Sequence, residues 1–265
     1  MMNWKKILAG GIVMIAAMGI LSGCGGNTAK QPESKLPSKI VIGLDDNFPP
    51  MGFRDKSGQI VGFDVDMANE VSKRIGIPVE FKPIDWASKE AELKSKKVDL
   101  LWNGLTITDE RKKQINFSNP YMDNQQIFLV KTDSPIQSKA DFAGKIIGTQ
   151  EGSSSVDALD KVPDFKKSLQ NVKLYGDFVA SFIDLEVGRI DGVLVDSVVG
   201  RYYMQQKPGM FRTLSDNMGS ELFGVGARKE DTAITDKINA TLADMKKDGT
   251  SAKISEKWFG SDITK

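Results

Sequence analysis

The sequence contains no histidine and a single cysteine, Cys24, in 265 residues. The first absence removes the imidazole that most often serves as general acid, general base or metal ligand. The second excludes an intrachain disulfide and any cysteine-cluster metal site. No metal and no cofactor are expected on these grounds. A surplus of either charge is also missing, because 36 basic residues stand against 35 acidic ones for a net charge of +1. Nucleic-acid binding calls for a basic patch or stripe. Here Lys and Arg are scattered along helix faces, and no nucleic-acid partner is expected. What remains is 40% hydrophobic and 27% charged, enough apolar surface for a globular body of one large domain or two lobes.

Residues 1–23 read as a leader. Lys5 and Lys6 give it a positive start, and Ile7 to Leu21 is an apolar run too short for a comfortable membrane span. The run ends in Leu21-Ser22-Gly23-Cys24, which resembles the lipobox of bacterial lipoprotein signal peptides. The resemblance implies cleavage before Cys24 and a diacylglycerol on its sulfur. Two or more acyl chains anchor stably where one is marginal. Residues 24–37, polar and containing Gly, Pro and Ser, read as a flexible tether. The working body is expected from Ser38 onward, lipid-anchored at the extracellular face of the cytoplasmic membrane.

The rest of the chain is organised around Asp99 to Arg111. Val98 to Trp102 reads as an apolar strand that stops at Asn103-Gly104. Thr108 then serves as N-cap of a helix with Asp109 and Glu110 in its first turn. Such a strand end gathers free backbone groups, the Thr106 hydroxyl and the Arg111 guanidinium, whose rigid fork of donors matches a carboxylate. Before it, Lys39 to Leu44 is a β-branched strand ending at Asp45. The loop to Met51 is stiffened by proline, and a hairpin turns at Lys56 to Gly58. Val65, Ala68, Val71 and Ile75 recur at helical spacing from about Asp64, with Gly76 and Pro78 ending the helix. Pro78 to Lys82 is a strand and Lys89 to Lys97 a helix.

After a break at Phe117 to Tyr121, Gln125 to Lys131 reads as a strand passing into a second α/β set. Lys145 to Thr149 is a strand, and Gln150-Glu151-Gly152-Ser153-Ser154-Ser155 leads into a helix. Hydroxyls and unpaired N–H groups there suit an anionic or polar group, with one of the three serines expected to act only as a cap. Further strands are Val172 to Tyr175, Asp191 to Asp196 and Leu222 to Ala227. Helices are marked by Phe178, Phe182 and Leu185, by Val198 to Gln206, by Ile234, Ile238, Leu242 and Met245, and by a last segment through Trp258. Strands alternating with helices imply α/β sheets, whose ligands sit beyond the carboxyl ends of strands.

From Lys39 to Phe259 the chain resembles the bacterial extracellular solute-binding proteins of family 3, which serve polar amino-acid ABC importers. The resemblance rests on Gly62-Phe-Asp-Val-Asp-Met67 with Val71 and Ile75, on Leu105 to Arg111, on Phe117 to Tyr121, and on Gly188-Arg-Ile-Asp191 to Asp196. Ser72 departs from the family signature, where Val, Ala, Gly or Cys is usual. The family implies a two-lobe periplasmic-binding-protein-like α/β fold of type II with two crossover hinge strands. Lobe 1 would comprise 38–122 and 222–265, and lobe 2 would comprise 123–221. It also implies site roles. Arg111 would clamp the ligand α-carboxylate, with Gly104 and Thr106 at the same end. Ser153 and Ser154 would add contacts from lobe 2, and Asp196 would pair with the α-ammonium. Asp45, Phe48, Trp86, Asn103, Gln150 and Glu151 would line the side-chain pocket. Placing Arg111 and Asp196 on opposite lobes makes the ligand complete the closed form.

The ligand is expected to be a polar amino acid. Asp45 and Glu151 suit a basic side chain, Gln150 and Asn103 an amide or hydroxyl. Glutamine, basic amino acids and cystine all stay open, and Trp102 belongs either to the pocket or to the core. The expected partner is an ABC permease and the expected state a monomer without enzymatic activity. The competing readings are a cyclohexadienyl dehydratase on the same fold, which would need Glu151 as general acid, and a ligand-sensing module.

Overall fold

The computed structural model describes residues 36–265. The leader, Cys24 and most of the tether lie outside them. Strand β1 (Ile40–Leu44) is buried almost throughout, as its β-branched sequence requires of a central parallel strand. It ends at Asp45. The short strands β2 (Asn47–Phe48), β3 (Gly52–Arg54) and β4 (Ile60–Val61) fold into a small antiparallel sheet over the following turn. Helix α1 (Phe63–Ile75) buries Phe63, Val65, Met67, Ala68 and Val71, and Gly76 ends it in the left-handed conformation at φ 71°. Ser72 has a local use: its hydroxyl donates to the Ile77 carbonyl at 2.8 Å, just beyond that helix end.

Next come β5 (Val79–Pro83), a single 3-10 turn at Trp86–Ser88, α2 (Lys89–Lys94), β6 (Leu100–Leu101), α3 (Asp109–Gln114) and β7 (Asn116–Phe117). The second half runs β8 (Met122–Lys131), β9 (Ile146–Gln150), α4 (Ser154–Asp160), α5 (Pro163–Ser168), β10 (Asn171–Tyr175), α6 (Phe178–Glu186), β11 (Gly192–Asp196) and α7 (Ser197–Gln206). It closes with β12 (Phe211–Phe223), β13 (Gly226–Ala227), α8 (Thr232–Lys247) and α9 (Thr250–Phe259).

These strands make two five-stranded sheets, one per lobe. The first has the order β5-β1-β6-β13-β7, the second β10-β9-β11-β8-β12. In each, a parallel core is flanked by antiparallel strands. The chain passes between sheets twice, from β7 to β8 and from β12 to β13. The passages lie side by side, because Met122 pairs with Phe223 and the Tyr121 N–H donates to the Phe223 carbonyl at 3.0 Å.

Several elements differ from the sequence expectation. The strand expected over Val98 to Trp102 is only Leu100–Leu101, and α5 (Pro163–Ser168) was not expected. The returning strand is far longer than Leu222 to Ala227. β12 begins at Phe211, and its stretch Ser215 to Ser220 is polar except for Met218, with register shifts against β8 on both sides of Asn217. It is the edge of its sheet, where polar residues and bulges are tolerated and useful, so it carries little hydrophobic alternation. β8 starts at Met122 rather than Gln125, because Asp123 and Asn124 pair with β12 despite their polarity. α2 ends at Lys94, where Lys96 adopts a positive φ of 60° and turns the chain toward Val98.

Candidate functional site

Four strand ends converge. Asp45 follows β1, Asn103 and Gly104 follow β6, Gln150 ends β9 and Asp196 ends β11. All are carboxyl ends of parallel strands, two from each sheet. The lobes meet here directly. Gln150 Nε2 donates to Asp45 Oδ2 at 2.6 Å, and the Thr106 and Ser154 hydroxyls lie 3.0 Å apart. Phe48 and Phe178 pack with ring centroids 5.8 Å apart.

On the first lobe, Thr108 caps α3 as its sequence suggested, accepting from the Arg111 N–H at 3.1 Å. This fixes Arg111, which is 7% exposed. Its guanidinium donates to the Thr106 carbonyl at 2.9 Å and to the Gly152 carbonyl of the other lobe at 3.0 Å, with Glu90 3.5 Å from Nε. The Gly104 turn requires glycine. Its φ is 57°, and an added Cβ would lie 2.9 Å from the Phe48 ring. The Gly104 N–H donates to the buried Asp64 carboxylate at 2.6 Å. Burial raises the Asp64 pKa to about 7, against the pull of bonds from Gly104 and Tyr121. The Asn103 side chain accepts from the Asp45 N–H at 3.0 Å and packs against Gly52, so it braces the pocket wall from behind. Trp102, 2% exposed, sits in the core against Tyr121. Trp86 is buried under Lys89, whose ammonium lies 5.2 Å from the ring centroid.

On the second lobe, none of the three serines makes the expected helix-capping bond. Ser153 occupies the N-cap position, but its hydroxyl donates back to the Gln150 carbonyl at 2.7 Å. Ser154 faces Thr106, and Ser155 holds the amide of Gln126. A serine followed by two more offers the backbone several competing bonds, and the strand-end carbonyl wins here. Glu151 is exposed and Gln150 is buried.

Asp196 is 4% exposed. Its Oδ1 accepts from Asn124 Nδ2 at 2.6 Å and Gln126 Nε2 at 2.9 Å. Its pKa is pushed well above the ordinary carboxylate range, first by burial and then by the nearby Glu221. Asp45 rises to about 6, chiefly through burial, with Asp177 and Asp46 adding to it.

Where the two sheets meet, the structure therefore pairs Asp45 with Gln150, Thr106 with Ser154, Arg111 with the Gly152 carbonyl and Phe48 with Phe178. Gly104 lies against Phe48, Ser153 on the Gln150 carbonyl, Trp86 beneath Lys89, and Asp196 on the amides of Asn124 and Gln126. Four residues that the sequence reading did not single out join them: Lys89, Asn124, Gln126 and Glu221. Asn124 and Gln126 leave one sequence signal, two amides at the period-two spacing of one strand face. Glu221 and Lys89 leave none, since an isolated charge beside a strand or in a helix most often points to water.

The arrangement is amphoteric: the Arg111 guanidinium, the Thr106 and Ser154 hydroxyls and the buried Asp196 carboxylate meet across the two sheets, with Asp45 and aromatic rings alongside. Comparison with known proteins agrees in kind. A profile of the bacterial extracellular solute-binding proteins, family 3, matches residues 40–261. The L-cystine-binding protein TcyJ of Escherichia coli (strain K12) is 33% identical over 230 residues, covering 85% of this chain and 84% of its own. The arginine-binding extracellular protein ArtP of Bacillus subtilis (strain 168) is 29% identical over 261 residues, 98% of either chain. A solved substrate-binding protein of an ABC uptake transporter from Streptococcus pneumoniae, with bound histidine, superposes with a TM-score of 0.83 at 40% identity, covering 86% of this chain and 94% of its own.

Proposed function

This chain belongs to the bacterial extracellular solute-binding proteins, family 3, and on that premise we propose that it captures a basic L-amino acid, arginine foremost, and delivers it to an ABC importer. The family consists of binding proteins of transporters, not enzymes, so the dehydratase alternative is set aside. Anchoring through a lipid on Cys24 at the outer face of the cytoplasmic membrane, and function as a monomer, are parts of the same proposal, supported by the leader pattern and by the family.

Arg111, Thr106 and Ser154 form the carboxylate end of the proposed site, and Asp196 forms the ammonium end. A zwitterion needs both at a fixed separation, because either charge buried alone is costly. The observation that carries the choice of a basic side chain is Asp45. It is 7% exposed and its side chain bonds only to neutral groups, the Asn47 N–H at 2.9 Å and the Gln150 amide at 2.6 Å. No described cation pairs with it. A guanidinium or ammonium reaching Asp45 would supply that charge. Cystine and histidine, bound by relatives, carry less complementary charge for this wall at neutral pH.

The test is a thermal-shift and calorimetric panel on protein stripped of ligand by unfolding and refolding. The panel contains L-arginine, L-lysine, L-ornithine, L-histidine, L-glutamine, L-cystine and prephenate. A ligand at one hundred times its dissociation constant adds about 2.7 kcal/mol, a rise of roughly 5–10 °C for a body of this size. The largest shift is expected with arginine. A larger shift with glutamine or cystine would overturn the basic assignment, and no shift with any amino acid would overturn the function.

A further inference from the structure

Glu221 lies on the second crossover strand, three residues before the chain re-enters the first lobe at Gly224. Its Oε2 accepts from four side chains: Thr106 Oγ1 at 3.0 Å, Asn124 Nδ2 at 3.1 Å, Gln126 Nε2 at 2.9 Å and Ser154 Oγ at 3.2 Å. One of these donors, Thr106, comes from the first lobe and three come from the second, two of them on β8. The same two amides also hold Asp196 Oδ1. Two carboxylates thus share one pair of neutral donors, and no described cation bonds to either. Like charges so placed repel, and a positive group between them relieves that cost.

The count of donors adds a second observation. A carboxylate oxygen offers two lone pairs, yet four groups crowd Oε2 while no described group donates to Glu221 Oε1 or to Asp196 Oδ2. The cluster therefore has donors to spare and acceptors unused. An incoming α-carboxylate can take the Thr106 and Ser154 hydroxyls, leaving Asn124 and Gln126 to hold Glu221 in place. An incoming ammonium brings three N–H donors, and Asp196 alone does not use them all. The unused oxygens of the two carboxylates are the nearby acceptors for the others.

We propose that Glu221 is a ligand-binding residue, the second carboxylate of a two-acid clamp that holds the α-ammonium jointly with Asp196. The assignment rests on the amino-acid reading of this cleft and deepens it. The hinge strand then contributes directly to recognition. Because Glu221 reaches donors on both lobes, the ammonium is read at the point where the lobes join. The clamp selects for a free α-ammonium whatever the side chain, while Asp45 discriminates among side chains.

Glu221→Gln keeps the shape and removes the charge. The measurement is the dissociation constant for L-arginine, L-glutamine and L-cystine by calorimetry, together with the melting temperature of the ligand-free protein, in wild type and Glu221→Gln. The expected result is a loss of affinity of roughly 10- to 100-fold for whichever of these amino acids the wild type binds. The ligand-free melting temperature stays the same or rises, because a like-charge contact with Asp196 has been removed. Unchanged affinity would overturn the clamp. A drop in ligand-free melting temperature alongside the affinity loss would also overturn it, since Glu221 would then be a strut between the lobes. A wild type that binds none of the three would remove the amino-acid reading itself, an outcome distinct from failure of the clamp in a protein that binds.

Discussion

The two ends of the cleft are built on opposite plans. At the Arg111 end the protein answers its own charge: the guanidinium donates to two backbone carbonyls, one on each lobe, and Glu90 stands beside it. At the Asp196 end only neutral amides bond the carboxylate, and the nearest charge is another acid, Glu221. The first end holds two cations, Arg111 and Lys89, against one carboxylate, Glu90, all bonded within the protein, and the second is short of a cation. On the proposed function, an amino acid would contribute unequally to the two. Its carboxylate would substitute for bonds that Arg111 already makes, while its ammonium would supply a charge that the described residues do not provide. Affinity should depend on both ends, and the stability of the ligand-free protein should depend on them in opposite senses.

The sharpest way to break this comparison is to neutralise each end in turn. Arg111→Ala should weaken binding of every ligand by roughly 100- to 1,000-fold and also lower the ligand-free melting temperature, because the Thr106 carbonyl loses its donor and the Gly152 carbonyl keeps only Lys89. Asp196→Asn should weaken binding by roughly 100-fold but raise the ligand-free melting temperature at neutral pH, since it removes a buried carboxyl whose ionisation is opposed by burial and by Glu221. Calorimetry and thermal unfolding of both variants check this. If both variants destabilise the empty protein equally, the contrast between the ends is wrong.

The pH dependence of stability tests the same contrast at smaller amplitude. Asp45 and Asp64 titrate at about 6 and about 7 in the folded protein, and Asp196 is raised as well. Ordinary carboxyls in an unfolded chain titrate near 4. Between those limits the folded state holds more protons than the unfolded state, so stability falls as pH rises. The ligand-free protein should lose melting temperature from about pH 4 through the neutral range. A bound amino acid, pairing its ammonium with ionised Asp196, should flatten that fall. The contribution of Asp64 should persist with ligand, because Asp64 faces Gly104 and Tyr121 rather than the cleft. Parallel curves with and without arginine would count against the ammonium end.

How far the sequence disclosed this cleft follows from the same physics. The Arg111 end was legible because a strand stop, a Thr cap and an arginine fall within one short segment, where local rules apply. Thr108 caps α3 and Arg111 is held in its first turn, as that segment implied. Asp45 and Asp196 were legible as acids at the ends of β-branched runs. The serine row was read only in part: the expected cap is missing because Ser153 bonds a strand-end carbonyl instead. Glu221 was hidden because the polar edge strand β12 shows no alternation, and its register is set by bulges against β8. Lys89 was hidden because its burial depends on a glycine more than sixty positions away, on the other lobe. Family resemblance supplied the two-lobe plan, which periodicity reduced only to alternating strands and helices.

Lys89 provides the smallest and most specific test. It is 2% exposed, and its ammonium donates to the Gly152 carbonyl at 2.7 Å and to the Trp86 carbonyl at 3.2 Å. The same Gly152 carbonyl accepts from Arg111, so two cations of one lobe converge on one turn of the other. The fit there is close, for a Cβ on Gly152 would lie 2.8 Å from the Ala87 Cα. Burial first and the Arg111 charge second lower the Lys89 pKa to about 8. Above that pH the folded state holds fewer protons than an unfolded lysine would, up to about 10.4, so stability rises with pH there. Set against the acid groups, this gives the ligand-free protein a melting-temperature minimum near pH 8. Lys89→Met keeps the stem over Trp86 and removes the charge. It should weaken ligand binding only a few-fold, because Arg111 still bridges to Gly152, and it should abolish the rise above pH 8. A rise that persists in the variant would mean that Lys89 is not the group responsible for it and that burial does not depress the Lys89 ammonium.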